Sequence, residues 1–260
     1  MLPIPSYSTP ETDSLCKEIA KKTNGVCFLG FSRGKDSVCA WLYLRKFFRT
    51  VIPFHCCLAP NLRFSEQALK YYEYEFETHI LRMQDSSLHA DIRRLVYQFG
   101  MDEKLIDVYG FYDYNKHDIM DLLRKLYALP NAWCAFGINA SDSIERRIYV
   151  QNIQGKNPQH KTFYPCWNWP HDKIISTCKE SGLKLAPEYN FVNRSIAGMP
   201  SVYWLEELRR NYPDDYAKIE RWYPLCWASI MRMEYRNKLN EENEDKGEKS
   251  DGEDSEKSAE

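Results

Sequence analysis

Phe28-Leu29-Gly30-Phe31-Ser32-Arg33-Gly34-Lys35-Asp36-Ser37 is the stretch around which this chain is organised. Val26 to Phe31 is short and almost wholly apolar, as expected of a strand buried on both faces of a parallel sheet. The apolar-rich segment Val38 to Phe48 reads as a helix. Between them lies a tight turn holding Gly34, two hydroxyls, Lys35 and Asp36. A strand, a glycine-bearing turn and a helix N-terminus together present unpaired N–H groups and the positive end of the helix dipole, which suits phosphate.

The turn is not a Walker A loop. Three residues separate Gly30 from Gly34, where four are needed, and Asp36 follows Lys35 where Ser or Thr belongs. The dinucleotide fingerprint fails as well, because its later glycines are absent. Ser32-Arg33-Gly34-Lys35-Asp36-Ser37 does resemble the pyrophosphate loop of the N-type ATP pyrophosphatases, Ser-Gly-Gly-x-Asp-Ser, with Arg33 standing where that family has glycine. Arg33 there either lays a donor fork over the phosphates or hinders their approach. A plain strand-to-helix turn is the alternative.

The remaining chain extends an α/β pattern. Thr12 to Thr23 is a first helix and Met1 to Pro10 an irregular arm. Thr50 to Ala59 is a second apolar strand, with Pro53 near its start where no ladder hydrogen bond is lost. Ser65 to Thr78 alternates faces as an amphipathic helix, and His79 to Met83 is a third strand. Strand-helix-strand-helix-strand is the pattern of a parallel sheet covered by helices. Residues 86–129 read as a helical insertion around the aromatic patch Tyr109 to Tyr114, which either packs on the sheet or faces a substrate or partner. Ala132 to Gly137 is the next strand, and its exit runs into Ile138-Asn139-Ala140-Ser141-Asp142-Ser143-Ile144-Glu145-Arg146-Arg147. Loops leaving the carboxyl ends of parallel strands face the ligand crevice, so this segment and the Ser32 turn can converge. Thr162 to Pro170 is a short strand and turn, Asp172 to Ser181 a helix, Leu185 to Asn190 extended, Ser201 to Asn211 a helix. Asp214 to about Asn240 is helical with a break at Pro224. The expected organisation is a nucleotide-binding α/β domain over 1–190, a helical region over 191–239, and a disordered tail over 240–260.

That tail holds ten acids and three lysines, net −7, against −2 for the whole chain, which leaves +5 on the remainder. It either solvates the chain or competes for the protein's own basic cleft. Hydrophobic content of 43% supports a sizeable core. No apolar run is long enough to cross a membrane, and no secretory signal is seen at the N-terminus, which points to the cytoplasm. The nine cysteines form no Cys-x-x-Cys pair and read as buried free thiols, and the six histidines show no metal-ligand spacing.

Further motifs resemble the phosphoadenosine-phosphosulfate (PAPS) reductases and their relatives, within the same superfamily of Rossmann-like, adenine nucleotide alpha hydrolase-like folds. Gly137 to Arg146 is similar in frame to their Gly-Ile-Arg-x-x-Glu-Ser-x-x-Arg, with Asn139 for Arg and Asp142 for Glu. Phe64-Ser65-Glu66 resembles their Phe-Pro-Glu, and Pro165, Trp169, Asp172 and Pro187-Glu188-Tyr189 look like their later series. The reductases' Glu-Cys-Gly-Leu-His cysteine motif is missing. Relatives from phages and mobile elements carry Cys-x-x-Cys-Pro where this chain has Arg194 to Pro200, without those cysteines.

The resemblance implies ATP and Mg2+ as ligands, cleavage of ATP between its α- and β-phosphates, and adenylation of an acceptor. Gly34, Ser32 and Ser37 would cradle pyrophosphate, with Arg33 beside them. Lys35 would neutralise the leaving group. Asp36 would hold Mg2+, or else cap the helix. Asp142 is the second carboxylate candidate. Arg146 and Arg147 would bind anionic groups, or else pair with Asp142 or Glu145. Gly137, Asn139 and Ser143 join them on the nucleotide, and adenine would lie near His55 to Leu58. Trp169 reads as core. No iron–sulfur cluster or zinc is expected. The alternative is a non-catalytic regulator that binds nucleotide and acts with a ParB-like or other protein partner. Nucleic acid is a further candidate partner, the oligomeric state is open, and sulfonucleotide reduction ranks last because its cysteine is missing.

Overall fold

The computed structural model describes residues 2–100, 106, 108, 110, 112–190 and 202–240. Six strands form one sheet: β1 (Val26–Gly30), β2 (Thr50–Cys57), β3 (Leu81–Gln84), β4 (Trp133–Phe136), β5 (Lys156–Asn157) and β6 (Thr162–Phe163). Their order is β3-β2-β1-β4-β6-β5, and every pair is parallel except the terminal β5–β6 hairpin. This is an α/β fold with a parallel-dominated sheet.

The order matters for function. From β1 the chain steps outward to β2 and β3, then returns to lay β4 on the other side of β1. Connections from β1 and β4 therefore leave in opposite directions, opening a crevice at their carboxyl ends. Gly30 is level with Phe54 on one neighbour and Phe136 on the other, so three strand ends meet at one floor.

Side-chain alternation divides the core. Cys27 and Leu29 point to the larger cluster, built with helices α1 (Pro10–Lys22), α2 (Lys35–Leu44), α3 (Arg63–Phe76) and α7 (His171–Glu180). Phe28 points the other way, with Phe54 and Cys134, under Ile119, Met120 and Leu123 of helix α5 (Lys116–Leu126). Part of the predicted insertion is thus the cover of one sheet face. Of its aromatic patch, Tyr109 and Phe111 lie outside the described residues, while the Tyr114 hydroxyl donates to Gln84 O at 3.0 Å.

Pro53 sits inside a strand with neighbours on both sides, yet no ladder bond is lost. Phe31 N–H donates to Phe54 O at 2.8 Å, so Phe54 faces β1 and Pro53 faces the opposite edge. The partner there, β3, begins pairing only at Phe54.

A third cluster joins α8 (Val202–Asn211), α9 (Pro213–Trp222) and a helix over 226–240 to Leu58, Leu62, Phe64 and to Leu88 and Ile92 of α4 (Ser86–Arg93). Buried Asp215 fastens it. Its carboxylate accepts from Arg63 N–H at 2.7 Å and Phe64 N–H at 2.8 Å, capping α3 from another part of the chain.

Three expectations change. The helix after the first turn spans Lys35–Leu44, because Gly34 takes an extended N-cap conformation four residues before Val38. Leu185 to Asn190 is not extended throughout: Pro187–Asn190 closes a 3-10 turn, with Tyr189 N–H donating to Ala186 O at 3.0 Å. The β5 strand is an addition the sequence did not suggest. Arg194 to Pro200 and the acidic tail beyond residue 240 lie outside the described residues. Among those described, no helix is long and apolar enough to cross a membrane.

Candidate functional site

The Ser32 turn closes on itself through hydroxyls. Gly34 N–H donates to Ser32 Oγ at 3.3 Å, Ser32 Oγ donates to Ser37 Oγ at 3.1 Å, and Ser37 Oγ donates to Gly34 O at 2.9 Å. Gly34, the N-cap of helix α2, has no side chain with which to cap it. Asp36 is therefore not the N-cap; it lies inside the first turn, near the positive helix end.

Opposite, the exit of β4 descends onto this turn. A Cβ at Gly137 would stand 2.5 Å from Ser37 N and 2.6 Å from the Asp36 carbonyl carbon, so only glycine lets the two backbones approach this closely. The descent carries Asp142 to Lys35. Lys35 Nζ donates to both Asp36 oxygens at 2.9 and 2.8 Å and stands 3.9 Å from Asp142 Oδ1. Asp142 Oδ2 takes the Arg146 guanidinium at 2.6 Å. Ser143 caps α6 (Ile144–Asn152), accepting from Arg146 N–H at 3.2 Å.

Burial favours neutral forms here, and charge pairing opposes it. For Lys35, burial is outweighed by the Asp36 hydrogen bond and by the charges of Asp36 and Asp142, so its pKa rises. For Asp36, burial outweighs the help of Lys35, and the Asp142 charge adds to it, so its pKa also rises. The carboxylate oxygens of Asp36 and Asp142, which Lys35 now neutralises, are the kind of donor a hard cation takes. No cluster of three or more His, Cys, Asp or Glu that could hold a metal occurs among the described residues. A cation here would complete its shell with oxygens of a ligand and water.

Beside the cluster runs a cleft, partly open to solvent. Gly30, Phe54 and Phe136 form its floor; Phe31, Ser32, His55, Cys56, Asp85, Lys116 and Ile119 line the rest. His55 is buried and fixed: its Nδ1–H donates to Phe31 O at 2.7 Å, and Ser65 Oγ lies 3.4 Å from Nε2. Burial and the neighbouring Arg33 charge push its pKa down to about 3, so it stays neutral.

Several sequence-derived assignments need correction. Arg33 does not arch over the turn. At φ 66° it sits in the left-handed region, and its guanidinium turns inward, 2.8 Å from Glu188 Oε1 and 5.4 Å above the Phe64 ring. Both side chains of that ion pair are buried, with relative exposures of 3% and 0%. Asn139 does not face the cleft: its amide donates to Cys166 O at 2.7 Å and Trp169 O at 2.9 Å and accepts from Ser141, stitching the β4 exit to the loop after β6. Leu58 belongs to the third core cluster rather than the cleft wall. Arg147 is exposed, its Nε–H donating to Ala140 O at 3.2 Å. Trp169, by contrast, is core as expected, donating to Thr12 Oγ1 at 3.2 Å.

Ser32, Gly34, Lys35, Asp36, Ser37, Gly137, Asp142 and Arg146 are brought together, and His55 lines the adjoining cleft. Asp85, at the exit of β3, is one that the strand-end rule would have flagged. Lys116 had no signal, because a helix distant in sequence delivers it. Tyr189 is a third: its hydroxyl accepts from Lys35 N–H at 3.1 Å.

No family model matches the chain, and no curated protein matches it. Similar solved structures include the U34-tRNA thiolase NcsA of Methanococcus maripaludis with its 4Fe-4S cluster. It is 15% identical, with 83% of this chain and 78% of that one covered and a TM-score of 0.42. The NH3-dependent NAD synthetase of Campylobacter jejuni, in complex with a nitrate ion, is 16% identical, with 85% and 93% covered and a TM-score of 0.41. Overlaps this loose transfer neither substrate nor cofactor, and the site stands on its own geometry.

Proposed function

We propose that this protein binds ATP with Mg2+ and cleaves it between the α- and β-phosphates, adenylating an acceptor. One observation carries the reading. The glycine-capped start of α2 and its Lys35 meet Asp142 and Arg146 from the β4 exit, next to an apolar cleft at three strand ends.

The division of labour follows from the chemistry. An aromatic base would lie between Phe54, Phe136 and Ile119 of the cleft lining, with the phosphates running toward the Ser32 turn. N–H groups at the helix start and the Lys35 ammonium offset charge that builds on departing pyrophosphate. The acceptor oxygen bonds to the α-phosphorus as the α–β bridging bond breaks, and the electron pair leaves on pyrophosphate. Most of the work is positioning and charge neutralisation. Mg2+ would be held by Asp36 and Asp142 and would neutralise phosphate charge. Lys35, now engaged by Asp36, would turn to the phosphates.

A second reading, a nucleotide-binding regulator that acts with a protein partner such as a ParB-like one, is favoured by Asn139. Where the resemblance expects a cation, this chain has an amide consumed by backbone. Pyrophosphate release from γ-labelled ATP with Mg2+ separates the two. Release by the wild type, lost in Asp36→Ala, supports the enzyme. ATP binding without release supports the regulator. Absence of ATP binding overturns both.

A further inference from the structure

We infer that Tyr189 is a phosphate-contacting residue of this site, held in place by the buried Arg33–Glu188 pair; this rests on the nucleotide reading above. The Lys35 N–H belongs to the first turn of α2, whose N-cap Gly34 offers no side chain, and is the group an anion would take first. In the present structure the Tyr189 hydroxyl takes it at 3.1 Å. A neutral phenol oxygen thus marks the place of a phosphate oxygen. When a phosphate oxygen takes over the Lys35 N–H, the hydroxyl is displaced to its side and turns its proton toward it. Two donors, Lys35 N–H and Tyr189 O–H, converge on one oxygen.

The hydroxyl is not there by chance of a loose loop. Tyr189 packs against the main core cluster. The residue before it, Glu188, is fully buried and paired with Arg33 at 2.8 Å. Arg33 lies two residues before Lys35 in the turn itself, so the pair clamps the 3-10 segment Pro187–Asn190 to the phosphate turn. The clamp also accounts for a non-glycine residue at φ 66°. The left-handed backbone costs Arg33, and the buried ion pair with the Phe64 contact holds it there. Arg33 therefore serves the phosphates at one remove, by fixing the tyrosine that touches them.

The test is equilibrium binding by calorimetry of three probes, MgATP, pyrophosphate and adenosine, to the full chain and to Tyr189→Phe. Phenylalanine keeps the packing and loses only the hydroxyl. ATP and pyrophosphate are expected to bind about tenfold more weakly, as for one hydrogen bond to a charged group, with adenosine unchanged. Tyr72→Phe, which removes another buried hydroxyl bonded to Lys184 O at 2.8 Å, should leave all three unchanged. Equal ATP and pyrophosphate affinity in Tyr189→Phe overturns the inference, as does an equal loss for adenosine. Tighter ATP binding overturns it too, because the hydroxyl would then be a competitor. If the wild type binds no ATP, the nucleotide reading itself fails, a different outcome from an unchanged Tyr189→Phe.

Discussion

Gly137→Ala puts the convergence of the two half-sites to a physical test. The added methyl carbon would stand 2.5 Å from Ser37 N and 2.6 and 2.7 Å from the Asp36 carbonyl carbon and oxygen. Ordinary contact begins near 3.4 Å, so the β4 exit and the start of α2 must part by close to 0.9 Å. The obstacle is backbone on both sides, and it cannot rotate away as a side chain would. Gly137 does not occupy the left-handed region, so space alone is at stake. Overpacking of this kind costs about 1–3 kcal/mol, and backbone against backbone belongs at the upper end. At about 2–4 °C per kcal/mol for a domain of this size, the melting temperature should fall by roughly 6–12 °C. The same displacement draws Asp142 away from Lys35, and losing one charge-assisted contact should weaken MgATP binding by about 10- to 100-fold. Differential scanning calorimetry and titration calorimetry read the two effects. Gly100→Ala, where a methyl meets nothing within 4 Å, is the control. If Gly137→Ala melts with that control and binds MgATP as the wild type does, the close approach does not exist and the site comes apart.

Other perturbations separate the parts. Glu188→Gln leaves Arg33 buried without its counter-charge and should cost about 3–5 kcal/mol in urea unfolding. Adding Arg33→Gly, which also removes the left-handed arginine, should recover part of that loss; strict additivity would contradict the pair. His55 has a folded pKa of about 3 against about 6.5 unfolded, so below pH 6.5 the unfolded chain takes up a proton that the native state refuses. Its contribution is fully present above pH 6.5 and is lost as pH falls toward 3. The stability gap between wild type and His55→Gln should therefore narrow by about 2 kcal/mol from pH 7 to pH 5, and a constant gap would show His55 is not a buried neutral group. Gly30→Ala collides with the Phe136 ring, which must swing into the cleft it lines; adenosine affinity should drop more than stability does, and the reverse would place the base elsewhere.

The strand-and-turn logic was readable in the sequence because it is local. An apolar run, a glycine turn and a helix start set β1 and α2, and the strand-end rule brought Asp142 to Lys35. What could not be read depends on partners far along the chain. Arg33 was legible as a cation in the turn, but its direction is decided by Glu188, 155 positions later. Asn139 fits the frame of a ligand-facing motif, yet the carbonyls of Cys166 and Trp169 claim its amide. Tyr189 was visible only as part of a motif, because its role needs the 3-10 turn that the extended reading of Leu185 to Asn190 overlooked. Asp215 likewise caps a helix it does not belong to.

The most direct measurement is a crystal structure of the protein with Mg2+ and a non-cleavable ATP analogue carrying a methylene α–β bridge. The account predicts its base between Phe54, Phe136 and Ile119, its terminal phosphates within hydrogen-bond reach of Lys35 N–H and Tyr189 O–H, and Mg2+ against Asp36 and Asp142. A nucleotide seated away from the Ser32 turn, or with its phosphates pointing out of the cleft, would contradict it.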